Sequence, residues 1–299
     1  MGKRKNIRNL VSSHQPYTKR SKCCFFTRTQ VLSAVSIIII AILILRYDDV
    51  AEVHRRFRVH VDRQYNLHMY GKLDYCTQPF QPDTLTEPLK LNIINQNEAI
   101  RQIISVVDNF KGGVSIALVG GSGVGKTLTC NILQSNFQWP SNVLYFIWSG
   151  VRSTSSNYYK IINWIKENLK TCGAYLVIVD SIDITYGETI QELNDEIRKE
   201  FRESDISILV VFVFNLATYS DDDLQTLDEK RLRLMDNLRG ITTINFRPFD
   251  YDDVERCIVA ESAKLNVTLN DEELSEIFEY IDVKRSGCKL IHAKIAMYT

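Results

Sequence analysis

Short apolar runs of strand length alternate along the chain with stretches whose apolar residues return at helical spacing. Val114–Val119, Val143–Trp148, Tyr175–Val179 and Ile206–Phe214 are the strand-length runs. Asn97–Asn109 places Ala99, Ile103, Val106 and Val107 on one side, and Thr127–Asn136, Tyr158–Leu169 and Ile190–Phe201 read as further helices. Strands apolar on both faces need cover on both faces. The pattern therefore predicts an α/β fold, a three-layer parallel sheet between helices. After Pro248 the strand-like runs stop, and Tyr251–Lys264, Asp271–Tyr280 and Leu290–Tyr298 predict a small helical domain over 249–299. It follows a large domain over 91–248, to which residues 47–90 are expected to lead as a stalk.

One run does not fit this alternation. Val31–Leu45 is apolar on every face and has no amphipathic neighbour to pack against. Counted from Thr29 it makes about 26 Å of helix, close to the ~27 Å hydrocarbon core of a thin bilayer. This predicts one transmembrane helix over 29–46. Arg46, Tyr47 and Asp48 follow without a small-residue cleavage site, which favours an uncleaved signal anchor over a cleaved signal peptide.

Charge then sets the orientation. The chain of 299 residues has a net charge of zero, yet residues 1–28 hold Lys3, Arg4, Lys5, Arg8, Lys19, Arg20, Lys22 and Arg28 with no acidic residue. A purely basic flank stays in the cytosol, so 1–28 is expected to be a cytosolic tail and 47–299 to be lumenal, a type II single-pass topology. Lys3-Arg4-Lys5 also resembles a nuclear import signal, but its place beside an apolar run favours the membrane flank. The rest of the chain is acidic on balance, from which no nucleic-acid partner is expected. Cys23-Cys24 is a candidate for palmitoylation, and Asn266-Val267-Thr268 is a glycosylation sequon on the expected lumenal side.

Gly120-Gly121-Ser122-Gly123-Val124-Gly125-Lys126-Thr127 matches G-x-x-x-x-G-K-[ST] in full, after a predicted strand and at the start of a predicted helix. Glycines let backbone N–H groups curl round a phosphate, aided by the positive end of the helix. Lys126 is expected to reach the β- and γ-phosphates of ATP, and the Thr127 hydroxyl to bind Mg²⁺. Tyr175–Val179 ends in Asp180, a Walker-B acid for the same Mg²⁺. AAA+ proteins that hydrolyse ATP usually place a glutamate next; here it is Ser181, with Asp183 two residues further on. Asn215 ends the run Leu209–Phe214, the place of the AAA+ sensor-1 residue. The five histidines are scattered, so no metal beyond Mg²⁺ is expected.

These residues, with others downstream, resemble the torsins, AAA+ proteins of the endoplasmic reticulum and nuclear envelope lumen. Gly287-Cys288-Lys289 before an apolar helix is similar to the torsin sensor-2 motif. So are Ile244-Asn245-Phe246-Arg247-Pro248-Phe249-Asp250-Tyr251 with Arg256-Cys257-Ile258, and Trp164-Ile165 with Cys172. The resemblance covers about residues 75–299. It implies an AAA+ fold, ATP with Mg²⁺, a sensor-2 role for Lys289, and residence in the endoplasmic reticulum membrane or nuclear envelope. It also implies a disulfide between Cys76 and Cys172 and a redox-sensitive pair Cys257–Cys288; sequence alone leaves the connectivity open. Cys130 is expected to be a small buried apolar residue.

The implied partners are the membrane, a lumenal activator protein supplying an arginine finger, and further copies of the chain in a homo-oligomer. Three departures stand out. Thr127 stands where many torsins have asparagine, Ser181 replaces the Walker-B glutamate, and the stretch from Asn215 to Ile244 is short. Arg239 is the nearest candidate for an internal finger. Two functions follow: an ATP-driven chaperone-like or membrane-remodelling factor with weak intrinsic hydrolysis, or a scaffold that binds nucleotide and does not hydrolyse it.

Overall fold

Five parallel strands in the order β2-β3-β4-β1-β5 organise the fold. A computed structural model describes residues 47–77, 83–108, 112–148, 154–168, 173–201, 206–216 and 223–298. The basic tail, the predicted anchor over 29–46 and Cys172 lie outside these residues. Among those described, no helix is long and apolar enough to cross a membrane. The chain divides into two units, Met1–Arg58 and Val59–Thr299, and the sheet lies wholly in the second.

The strands are β1 (Gly113–Gly120), β2 (Val143–Ile147), β3 (Gly173–Asp183), β4 (Ile206–Asn215) and β5 (Thr242–Asn245). The three central ones, β1, β3 and β4, are buried on both faces, which is why their sequences read as continuous apolar runs. One face packs Leu118, Leu176, Ile178, Val211 and Val213 into one core; the other packs Val119, Tyr175, Val177, Val210 and Phe212 into a second. With the phosphate-loop motif leaving β1 beside the edge strand β5, this is an AAA+-type P-loop α/β fold.

Seven helices precede or cross between the strands among the described residues. They are α1 (Tyr47–Thr77), α2 (Asp83–Asn92), α3 (Asn97–Asp108), α4 (Lys126–Ser135), α5 (Thr154–Asn168), α6 (Gly187–Phe201) and α7 (Asp223–Asn237). The C-terminal part is helical: α8 (Tyr251–Leu265), α9 (Asp271–Tyr280), α10 (Val283–Ser286) and α11 (Ile291–Ile295). Capping boxes start α8 and α9, with Asp250 accepting from the Asp253 N–H and Asn270 from the Glu273 N–H.

The stretch read as a stalk contains α1 and α2. From α2, Leu85 and Leu89 are fully buried in the core. From α1, Arg63 is buried; its Nε donates to Asn142 Oδ1 at 3.1 Å and its Nη2 to the Ser141 carbonyl at 3.0 Å. Asn142 in turn donates to the Ala174 carbonyl at the start of β3. Gly71, at φ 76°, interrupts the helix six residues before its end.

Helix α7 and strand β5 are among the elements with no counterpart in the sequence reading. Helix α7 is mostly polar (DLQTLDEKRLRLMDN) and sends Leu234 into the core, so its periodicity is faint. Strand β5 is four residues long and only Ile244 of it is buried.

Candidate nucleotide-binding site

Strand β1 carries its chain straight into the phosphate loop, and register brings the other polar groups beside it. Gly120 pairs with Asn215 across β1 and β4, and Asp183 pairs with Asn215 across β3 and β4. Gly123 at φ 72° and Gly125 at φ 103° take the left-handed turns that open the loop, and Lys126 begins α4 directly after.

Lys126 is buried, and its Nζ donates to the Gly120 carbonyl at 2.8 Å, to the Gly121 carbonyl and to Asn215 Oδ1 at 3.2 Å. Burial lowers its pKa to about 8, although Asp180 pulls the other way. The ammonium thus sits on neutral acceptors beside a loop shaped for phosphate. A phosphate anion there would supply the charge partner that the carbonyls lack.

Asp180 collects three donors. Its Oδ2 accepts from Thr127 Oγ1 at 3.1 Å and from the Tyr145 hydroxyl at 2.6 Å, and its Oδ1 from the Ser181 N–H at 2.6 Å. Burial, with the Asp180 hydrogen bond and charge behind it, pushes the Tyr145 phenol far up, so Tyr145 is a donor at every physiological pH. A hydroxyl and a carboxylate in contact form a hard oxygen donor pair of the kind Mg²⁺ uses when it also holds phosphate and water. Thr127 and Asp180 therefore fit the metal. With nucleotide bound, Mg²⁺ would neutralise phosphate charge there.

The carboxylate expected after Asp180 is missing, and nothing described replaces it. The register of β3 against β4 shifts between Val179 and Ile182, and Ser181 takes a left-handed φ of 65° in that bulge. Asp183 lies one pleat further on. Its Oδ1 accepts from the Thr185 N–H at 2.9 Å and from Thr185 Oγ1 at 2.7 Å, capping the turn that leads into α6. Arg239 is exposed and does not line the cavity; no arginine does among the described residues.

The C-terminal helices close the other side. The Cys288 N–H donates to the Gly123 carbonyl at 3.2 Å, and Cys257 on α8 is disulfide-bonded to Cys288 with Cα atoms 6.1 Å apart. Lys289 is exposed and lines the same cavity. Cys76 is also disulfide-bonded; Cys172, its expected partner, lies outside the described residues. Cys130 is a buried free thiol, pushed up by burial. Asn266, exposed, ends α8 in a left-handed C-cap at φ 55°.

Between these parts lies a cavity of about 610 Å³, within the range of small-molecule sites. One end holds Ser122, Lys126, Thr127, Asp180 and Asn215; the remaining wall includes Leu91, Ile93, Ile94, Phe249, Ala260 and Ile291. An apolar slot attached to a phosphate loop suits a base attached to a phosphate chain. The slot is braced from behind. Buried Asp253 receives Arg247 Nη1 and Nη2 at 2.7 Å and the Asn95 amide, and Gln96 bonds both the N–H and the carbonyl of Arg247. The segment before α3, the linker after β5 and helix α8 are thereby tied together.

Tyr145, Asp253, Glu261 and His292 escape sequence reasoning. Only Tyr145 carried a signal. It stands two residues before Ile147, which pairs with Asp180 in the sheet, so both point to one face of β2.

No family model matches the sequence, and no curated protein does either, so the torsin resemblance rests on its motif residues alone. Solved structures with a similar fold include replication proteins and a Walker-type ATPase of Pyrococcus abyssi. Domain III of Thermotoga maritima DnaA is 15% identical over 72% of this chain and 88% of its own, with a TM-score of 0.39. The initiator DnaA bound to AMPPCP and single-stranded DNA is 14% identical over 73% of this chain and 65% of its own, with a TM-score of 0.41. Aeropyrum pernix Orc1 in complex with DNA is 14% identical over 62% of this chain and 54% of its own, also at 0.41. The likeness is one of fold. It also corrects one expectation: two of these proteins hold DNA, so an acidic balance averaged over the chain is no ground for excluding a nucleic-acid partner.

Proposed function

We propose that the chain binds ATP with Mg²⁺ and acts as a nucleotide-gated AAA+ module that hydrolyses slowly by itself. The observation that carries this is the meeting of Lys126, Thr127, Asp180 and Asn215 at one end of the cavity, with a serine, Ser181, in the position after Asp180 where a water-orienting glutamate would stand. Binding parts are complete, whereas the part that polarises water is absent. Single-turnover hydrolysis of ATP tests this; brisk turnover by the chain alone overturns it.

The torsin-like reading extends the proposal to a membrane-anchored, lumenal protein whose nucleotide state controls a chaperone-like or membrane-remodelling act. Two cross-linked cysteines at the site and a third disulfide-bonded cysteine support an oxidising compartment. Glycosylation in cells is the test: an endoglycosidase-sensitive shift lost in Asn266→Gln supports it. A protease-accessible C-terminus in intact microsomes overturns it. The empty catalytic place at Ser181 favours a second reading, a scaffold whose partner affinity follows ATP occupancy without turnover.

A further inference from the structure

Glu261, Lys264 and His292 line the cavity and have no task in binding phosphate. Glu261 and Lys264 follow Cys257 on α8 by one turn and two, and so share its face. Cys257 is fixed near the phosphate loop, because its disulfide partner Cys288 is hydrogen-bonded to Gly123. Glu261 therefore stands about 6 Å further along the helix axis, at ~1.5 Å per residue. In a nucleotide whose phosphates lie on the loop, the group next outward is the sugar.

Glu261 is built as an acceptor. Its Oε1 lies 2.6 Å from His292 Nδ1 on α11 and its Oε2 3.2 Å from Lys264 Nζ, and its side chain is 20% exposed. An ionised carboxylate has about four lone-pair positions, so each oxygen keeps acceptor capacity. Burial pushes its carboxyl up, but the hydrogen bonds from His292 and Lys264 outweigh that and hold it below the usual range. The Lys264 ammonium also offsets a negative charge that would otherwise repel the phosphate chain.

We propose that Glu261 accepts hydrogen bonds from the 2′- and 3′-hydroxyls of the bound nucleotide's ribose, so that the site selects ribonucleotides over deoxyribonucleotides. This rests on the nucleotide reading above. His292 and Lys264 are positioning residues for the carboxylate. The apolar slot cannot discriminate in this way, since both nucleotide classes carry the same bases.

The test is to titrate ATP, 2′-deoxyATP and 3′-deoxyATP, each with Mg²⁺, into the folded chain and into Glu261→Ala. The wild-type chain is expected to bind ATP roughly tenfold more tightly than either deoxy analogue, as befits loss of a hydrogen bond to a charged acceptor. In Glu261→Ala the three affinities should converge on the weakest. Equal affinities in the wild type overturn the proposal, whatever the variant does. So does a wild-type preference that survives Glu261→Ala; Glu261 would then only clasp α8 to α11. Failure of the wild type to bind ATP at all overturns instead the nucleotide reading, and this proposal with it.

Discussion

Gly287 and Gly123 meet backbone to backbone: a Cβ on Gly287 would stand 2.8 Å from the Gly123 carbonyl oxygen, and one on Gly123 would stand 1.9 Å from the Ser286 carbonyl oxygen. The C-terminal helices thus rest on the phosphate loop itself. Whatever reshapes that loop is felt by the turn between α10 and α11.

Neither glycine is replaceable. Both have positive φ, 72° at Gly123 and 47° at Gly287, so an alanine adds strain to the clash. Gly123→Ala is expected to lose about 2–4 kcal/mol of stability and most nucleotide affinity. Gly121→Ala, whose Cβ would meet nothing within 4 Å, serves as the control. Denaturant unfolding and nucleotide titration of the two variants check this; equal loss in both would mean that the contact with Ser286 is unimportant.

The Cys257–Cys288 disulfide ties α8 to the turn on the loop across a sequence separation of 31. Loop-closure entropy for that length corresponds to about 3–4 kcal/mol of stability on reduction. Reduction should also change ATP or ADP affinity, because Cys288 is bonded to the loop that holds the phosphates. Titrating nucleotide into oxidised and reduced protein decides it. Identical affinities, with the disulfide state verified by mass spectrometry, would show that redox state and nucleotide are uncoupled.

Much of this site was legible because it is local. The phosphate loop, Asp180 and Asn215 each lie at the end of an apolar run, and parallel strands bring such ends to one edge of the sheet. The groups that escaped are those joined through space by elements far apart in sequence. Asn95 meets Asp253 across 158 residues and Glu261 meets His292 across 31. Helix α7 escaped for a different reason: its sequence is mostly polar and leaves little apolar rhythm to read.

Lys126 makes binding depend on pH. Its pKa, lowered to about 8, lies well below that of an ordinary lysine, so above pH 8 the free site increasingly holds a neutral amine. Nucleotide needs the ammonium. Affinity for ATP should therefore be flat near pH 7, fall as pH rises through about 8, and be accompanied there by proton uptake on binding. The phosphate's own titration, near pH 6, lies below this window. Calorimetry in buffers of different ionisation enthalpy measures the uptake. Lys126→Ala should bind roughly tenfold to a hundredfold more weakly and without the alkaline decline. An unchanged decline in that variant would assign it to another group.

Slow hydrolysis is the prediction on which the functional reading turns. Phosphoryl transfer depends on positioning and electrostatics, and among the described residues neither a carboxylate in the place after Asp180 nor an arginine lines the cavity. An arginine supplied in trans contributes ~10³–10⁵ in rate in related systems, so a partner could restore much of the step. Asp183 is the remaining carboxylate on β3, but its Oδ1 is held by Thr185 at the start of the next turn. Asp183→Asn should thus leave the low single-turnover rate unchanged and cost little stability, because the Asn amide oxygen can accept the same hydrogen bonds from Thr185. Ser181 occupies a left-handed backbone position, so Ser181→Gly should stabilise the fold by about 1 kcal/mol without altering hydrolysis. Ser181→Glu restores the carboxylate at a position that resists it, and should gain activity chiefly when a partner supplies the arginine. Fast wild-type turnover abolished by Asp183→Asn would instead make Asp183 the group that orients water, and the chain an autonomous ATPase.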